Sequence, residues 1–179
     1  STLMKILRGV YQPDAGKIIV QGKSYDKFNT PNDARMAGIG MVFQEFSLVP
    51  TLTVAQNIFL TREIKNKVGL LDDKECEKRA KAFFDELEVD IDPHSIVSNL
   101  STGYRQLTEI TAALSQEARI LIFDEPTASL TQTETLSLFR LMRRLKNKGI
   151  SMIYISHRME EIFKIADRIT VLRDGQKIN

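Results

Sequence analysis

The stretch from Arg119 to Phe123, apolar from Ile120 onward, passes directly into Asp124 and Glu125, and no other junction in the chain constrains the fold as strongly. A stretch this short and this continuously apolar reads as a central parallel strand covered on both faces. Alternation continues from there. A helix over Gln132 to Lys148, with Leu138, Met142 and Leu145 in its stripe, is stopped by Gly149. A strand at Ile150 to Ile155, a helix at Met159 to Ala166 and a strand at Ile169 to Arg173 follow, and Asp174-Gly175 is a hairpin turn signal before Lys177. The pattern predicts an α/β chain with a parallel sheet and crossover helices.

Upstream, Thr2 to Val10 reads as helix, and Pro13 to Gly16 as a turn into a strand at Lys17 to Gln21, ended by Gly22. A second apolar run, Ile39 to Phe43, reads as a strand leading into Gln44 and Glu45. The middle, about 45–116, is helical and interrupts the alternation. Thr53 with Gln56 forms a capping box for a helix through Leu60. Asp72 or Asp73 caps a longer helix with Cys76, Ala80, Phe83, Phe84 and Leu87 on one face and a Glu75–Arg79 pair on the other. Ser101 is placed to cap a further helix with Leu107, Ile110, Thr111 and Leu114 inward.

Composition narrows the classes of function. With 179 residues the chain is one domain or a large piece of one, at about 150 residues per domain. Twenty-five basic against 23 acidic side chains leave +2, too even a balance for a nucleic-acid-binding field, which disfavours nucleic acid as the main partner. The apolar runs fall far short of the roughly 20 residues that span a bilayer, and nothing resembles a secretory signal. A single cysteine, Cys76, cannot form an internal disulfide, suits a reducing compartment and reads as a small core residue.

Four features carry chemistry. Asp124 and Glu125 stand at the carboxyl end of a buried parallel strand, where open α/β sheets bind ligands. Asp124 suits a magnesium ion and Glu125 a water attacking phosphorus. Gln44 follows another strand, and its amide oxygen could complete a magnesium shell. Leu100 to Tyr104 opens a helix with a small hydroxyl residue and a glycine, exposing backbone N–H groups to an anion. His157 follows a strand and Ser156, where an imidazole can hydrogen-bond a terminal phosphate. Each has a plainer reading taken singly: a charged strand-end loop, a surface glutamine, an ordinary helix cap, a solvated histidine. His94, between Pro93 and Ser95, reads as loop surface only.

The order of the four, each at the right kind of element boundary, resembles the nucleotide-binding domain of ABC ATPases. Gln44 matches that family's Q-loop, Leu100 to Tyr104 its signature motif, Ile120 to Glu125 its Walker B strand and His157 its switch histidine. Ser1-Thr2-Leu3 before a helix looks like the tail of a Walker A loop. The resemblance implies a P-loop NTPase (RecA-like) core at 1–44 and 117–179, a helical subdomain at about 45–116 bearing the signature, and a small antiparallel β portion. It also implies a single partial domain over 1–179, lacking the first strands and most of the phosphate loop, with exposed apolar surface where the absent strand would lie.

What the resemblance implies for chemistry is ATP and Mg²⁺ as cofactors. Glu125, His157 and Gln44 would be catalytic, Ser1 and Thr2 nucleotide-binding, and Ser1, Gln44 and Asp124 metal ligands. Ser101, Thr102, Gly103 and Tyr104 would act on the nucleotide of a second ABC domain, fused or homodimeric, and Ala128, Ser129, Leu130 and Thr131 would form the D-loop. Thr102 and Tyr104 depart from the family's L-S-G-G-Q, and Thr131 stands where aspartate is common. Leu107 to Gly175 is most similar to ATPase subunits of bacterial sugar importers of the ribose, galactose and xylose type, in their amino-terminal half. That implies transmembrane permease partners, indirectly a periplasmic or extracellular sugar-binding protein, and a cytoplasmic, peripheral place on the inner face of the cell membrane. Two alternatives remain open: a soluble non-transport ABC ATPase, and a fragment inactive alone because its Walker A loop is incomplete.

Overall fold

The computed structural model describes residues 2–42, 47–60, 62–66 and 68–178. Its centre is a three-stranded parallel sheet of β3 (Ile39–Val42), β4 (Ile120–Asp124) and β5 (Ser151–Ile155), in the order β3-β4-β5. The ladder pairs Val42 with Phe123 and Phe123 with Tyr154, so all three strands end at one edge. Two antiparallel hairpins form separate sheets: β1 (Ile18–Val20) with β2 (Lys23–Tyr25), and β6 (Val171–Arg173) with β7 (Gln176–Ile178).

Both faces of β4 are covered, as its composition demands. Leu121 and Phe123 point into one core with Leu138, Phe139, Met142 and Leu145 of α6 (Gln132–Asn147) and Ile110 of α5 (Thr102–Ser115). Ile122 points into the other, with Ile39, Ile18, Val20, Phe28 and Met4 of α1 (Thr2–Leu7). Leu121, Ile122 and Phe123 are fully buried, each worth about 1.5–3 kcal/mol relative to exposure. A third core lies in the helical region. It joins Val54 and Ile58 of α3 (Val54–Ile58) to Cys76, Ala80 and Phe84 of α4 (Asp73–Leu87).

Several local expectations hold in detail. Asp72, rather than Asp73, caps α4 by accepting from the Glu75 amide, and Arg79 Nε donates to Glu75 at 2.7 Å. Thr53 and Gln56 form the full capping box of α3, and Ser101 caps α5. Cys76 is buried and free. Other boundaries shift. α1 stops at Leu7 because the chain turns through Gly9 at φ +76°, where a Cβ would stand 2.5 Å from the Thr30 carbonyl oxygen. α3 ends at Ile58 rather than Leu60, and β6 begins at Val171 rather than Ile169. Phe83, Leu107 and Leu114 are half-buried at the rims of the cores.

The helix α2 (Pro31–Met36) has no counterpart in the sequence reading. Its signal is present all the same: Thr30 accepts from the Asp33 amide, the Asp33 carboxylate accepts from the Thr30 amide, and Pro31 supplies the first turn. β2 was hidden for a different reason. Gln21 and Gly22 both take positive φ, making a tight hairpin turn where the sequence shows only the end of a strand. On the Ile39, Ile120, Ile122 and Ile153 side, α1 and β1 border an open apolar depression of about 500 Å³. Val171 and Leu172 of β6 are also exposed.

Gly40 of β3 pairs with Leu121, and a Cβ there would meet Leu121 Cδ2 at 2.9 Å, Ala118 Cβ at 3.1 Å and Ala113 Cβ at 3.2 Å. The two alanine methyls cannot rotate away. Gly40→Ala is therefore expected to destabilise by about 1–3 kcal/mol, read as a lower melting temperature; an unchanged melting temperature would show that α5 is not seated on β3 this closely.

Candidate functional site

The carboxyl ends of the three parallel strands converge on one edge, and the candidate residues of β4 and β5 lie there. Asp124 is the last residue of β4, paired with Ile155. Glu125 takes φ +49°, the left-handed region that a non-glycine residue enters at a cost of roughly 1–2 kcal/mol. Its amide donates to the Ile155 carbonyl at 3.0 Å, and its carbonyl accepts from the Ala128 amide at 3.2 Å. The sharp turn points the Glu125 side chain toward the loop after β5. There His157 Nδ1 lies 3.2 Å from Glu125 Oε1, so a protonated Nδ1 donates to that carboxylate. Both side chains keep solvent access, His157 more than Glu125.

Behind this pair is a buried polar network. Glu161 of α7 (Met159–Ile165) accepts at Oε2 from the hydroxyls of Tyr154 at 2.7 Å, Thr127 at 2.8 Å and Ser156 at 3.3 Å. At Oε1 it accepts from Arg158 Nη1 at 3.2 Å. Burial pushes the Glu161 carboxyl up, but the donors Tyr154, Thr127 and Arg158 outweigh it and hold the group below its ordinary value. The same burial, with the bond to Glu161, raises the Tyr154 hydroxyl and keeps it a donor.

A second acidic centre ties two helix starts together. Thr131 caps α6 with a full capping box: its hydroxyl accepts from the Glu134 amide, while Glu134 Oε2 accepts from the Thr131 amide at 3.0 Å and hydroxyl at 2.9 Å. The other oxygen, Oε1, reaches α5 and accepts from the Gly103 amide at 3.0 Å and the Ser101 hydroxyl at 3.1 Å. A Cβ on Gly103 would stand 2.6 Å from that oxygen, so the glycine is what admits the carboxylate. The hydroxyl and amide donors at the start of α5 are thus met by a carboxylate of the same chain. Tyr104 adds its amide to the Ser101 cap and keeps its ring partly in solvent, while Thr102 opens the helix.

The structure therefore brings Glu125 to His157, with Asp124 beside them, and sets Ser101 and Gly103 against Glu134 near the Ala128 to Thr131 turn. Among the described residues no hydrogen bond joins Asp124, Glu125 or His157 directly to Ser101, Gly103 or Glu134. Thr2 begins α1, which packs on the sheet through Met4. Ser1 and Gln44 lie outside the described residues. Sequence reasoning missed Glu134, although Thr131-x-x-Glu134 is a legible capping box. It also missed Glu161, whose burial no local pattern announces. His94, read as loop surface, is exposed and pairs with Glu77 at 3.0 Å.

Among the described residues no three His, Cys, Asp or Glu side chains form a metal cluster. One strand-end carboxylate still fits magnesium, which commonly takes one or two carboxylates and completes its shell with phosphate oxygens and water. No helix among the described residues is long and apolar enough to cross a membrane.

Comparison with known proteins agrees with this fold. A family model described as ABC transporter matches residues 1–128. A ribose import ATP-binding protein (RbsA) of Hahella chejuensis is 53% identical over 178 residues, which cover 99% of this chain and 35% of that protein. A putative ribose/galactose/methyl galactoside import ATP-binding protein of the same organism is 46% identical over 99% of this chain and 34% of its own length. The chain thus spans about a third of the curated relatives it matches. A nucleotide-free ATP-binding cassette from an ABC transporter superposes with a TM-score of 0.84 at 22% identity, over 99% of this chain and 74% of that one, a likeness of fold.

The Thr131 amide does most to hold Glu134 below the ordinary carboxylate value. Desolvation opposes it, and the Thr131 hydroxyl, Gly103 amide and Ser101 hydroxyl add to it. A lowered folded value means that the ionised group stabilises the fold above about pH 4.3 and that this is lost as pH falls further. Glu134→Gln is expected to lower stability at neutral pH by less than about 1 kcal/mol, since the carboxylate keeps solvent access and is screened. Melting curves from about pH 7 to pH 3 should show a shallower acid loss in the variant; an identical slope would contradict the assignment.

Proposed function

The chain belongs to the ABC transporter family, and on that premise we propose that it forms the amino-terminal nucleotide-binding domain of a sugar-import ATPase of the ribose, galactose and xylose type. The whole of 1–179 is one partial domain, with its core at 1–44 and 117–179 and its helical subdomain at about 45–116. The apolar depression beside α1 and β1 suits further strands of the same domain. Its cofactors are ATP and Mg²⁺. The relatives' names support the sugar class.

The observation that carries the reading is Glu125 itself, a left-handed residue at the end of the central strand with His157 at 3.2 Å. A carboxylate so placed can orient a water toward the terminal phosphorus and take its proton as the new O–P bond forms and the bond to ADP breaks. His157 holds Glu125 in place and offers its imidazole to the terminal phosphate. Asp124 would hold Mg²⁺, which when bound neutralises charge on the phosphate oxygens. Ser1 and Thr2 contribute hydroxyls to the phosphates and metal, and Gln44 completes the metal shell.

The signature residues Ser101, Thr102, Gly103 and Tyr104 act on the nucleotide of a second ABC domain, fused or homodimeric, with Ala128 to Thr131 as the D-loop between the two sites. A phosphate arriving at Ser101 and Gly103 takes donors that Glu134 now holds, so closure includes release of that carboxylate. The helical subdomain docks on transmembrane permease subunits at the inner face of the cell membrane. A periplasmic or extracellular sugar-binding protein delivers the sugar on the other side.

In the full-length protein, Glu125→Gln is expected to retain ATP binding and lose turnover by about a hundredfold or more. ATP binding by fluorescence and phosphate release by a coupled assay check it; wild-type turnover in the variant refutes the assigned base.

A further inference from the structure

A buried carboxylate is costly unless every lone pair is met, and an apolar side chain would anchor a short helix at lower cost. Glu161 is nevertheless buried on α7, 8% exposed, with four side-chain donors upon it. Those donors come from three places. Thr127 lies in the turn that carries Glu125, Tyr154 lies on β5, and Ser156 and Arg158 flank His157 on either side. Arg158 Nη1 also reaches the Thr127 carbonyl at 3.4 Å, and the Arg158 amide donates to Ser156 Oγ at 3.0 Å. One carboxylate thus fastens the Glu125 turn and the His157 loop to the same point.

We propose that Glu161 is a positioning residue for ATP hydrolysis, setting the separation of Glu125 and His157 from beneath by binding Thr127 on one side and Ser156 and Arg158 on the other. It touches neither nucleotide nor water. The inference rests on the function proposed above. Its physical content is that the 3.2 Å contact between His157 and Glu125 joins an exposed imidazole to a half-buried carboxylate on a separate loop. A contact of that kind holds its geometry only if both loops are fixed from behind, and a displacement of about 1 Å at a reacting group can cost a hundredfold in rate.

The test is steady-state ATP hydrolysis by the full-length protein with Glu161→Ala, Glu161→Gln and Tyr154→Phe, each alone and with His157→Ala. Glu161→Ala is expected to lower kcat about tenfold to a hundredfold with KM little changed. Glu161→Gln, which keeps acceptance from Thr127 and Tyr154 while losing the charge toward Arg158, recovers part of the loss. Tyr154→Phe removes one donor, keeps the ring edge-on to Phe139 and gives a smaller fall of the same kind. The decisive readout is coupling: combined with His157→Ala, each variant is no slower than His157→Ala alone. Independent effects that multiply, or an unchanged kcat in all three variants, overturn the positioning role while Glu125→Gln and His157→Ala still lose turnover. If those two variants themselves hydrolyse ATP normally, the site reading falls and this inference falls with it.

Discussion

The parallel ladder around β4 is the constraint on which the rest depends. Three consecutive fully buried side chains, alternating between two cores, fix this strand against α5 and α6 on one face and α1 and β1 on the other. Its register with β3 and β5 then decides what meets at the carboxyl edge, because a one-residue slip would exchange the two faces. With the register fixed, Asp124 must end the strand beside Ile155. The Glu125 amide bonds that residue's carbonyl, and the chain turns through a left-handed glutamate. The strain at Glu125 persists because the buried strand before it and the satisfied turn after it over-determine its conformation.

Around that edge, acidic side chains serve as ties between segments far apart in sequence. Glu134 spans the starts of α5 and α6, accepting from both, and Glu161 spans the turn after β4, strand β5 and the loop before α7. Each is met by several donors, and both are held below the ordinary carboxylate value, Glu161 against the desolvation of its buried setting. The two differ in burial. Glu134 is near solvent, accepting at the start of two helices. Glu161 is buried and bonded by four side-chain donors.

Much of this was legible in the sequence where local chemistry dictates structure. The caps at Thr53, Asp72 and Ser101, the β4 run, the Gly149 stop and the Asp174-Gly175 hairpin turn all declare themselves within a few residues. The order of Asp124, Glu125 and His157 at strand ends exposed the candidate site because parallel register brings strand ends together. What stayed hidden depends on distant partners. Nothing around Glu161 distinguishes it from its neighbour Glu160, which is exposed; only packing against Thr127 and Tyr154 makes it buried and bonded. The need for a glycine at Gly103 likewise follows from Glu134, 31 residues away, rather than from the helix it lies in. α2 was a different kind of omission, since Thr30-Pro31 with Asp33 spelled its cap locally.

The central claim is that the edge formed by Asp124, Glu125 and His157 faces a metal-bound triphosphate. The most direct measurement is a structure of the full-length protein with Mg²⁺ and a non-hydrolysable ATP analogue. The account predicts the metal on the Asp124 carboxylate and the terminal phosphate within hydrogen-bonding reach of His157, with Glu125 facing the phosphorus across one water. A nucleotide seated away from the carboxyl ends of β4 and β5, with Asp124 and Glu125 in bulk solvent, would contradict it.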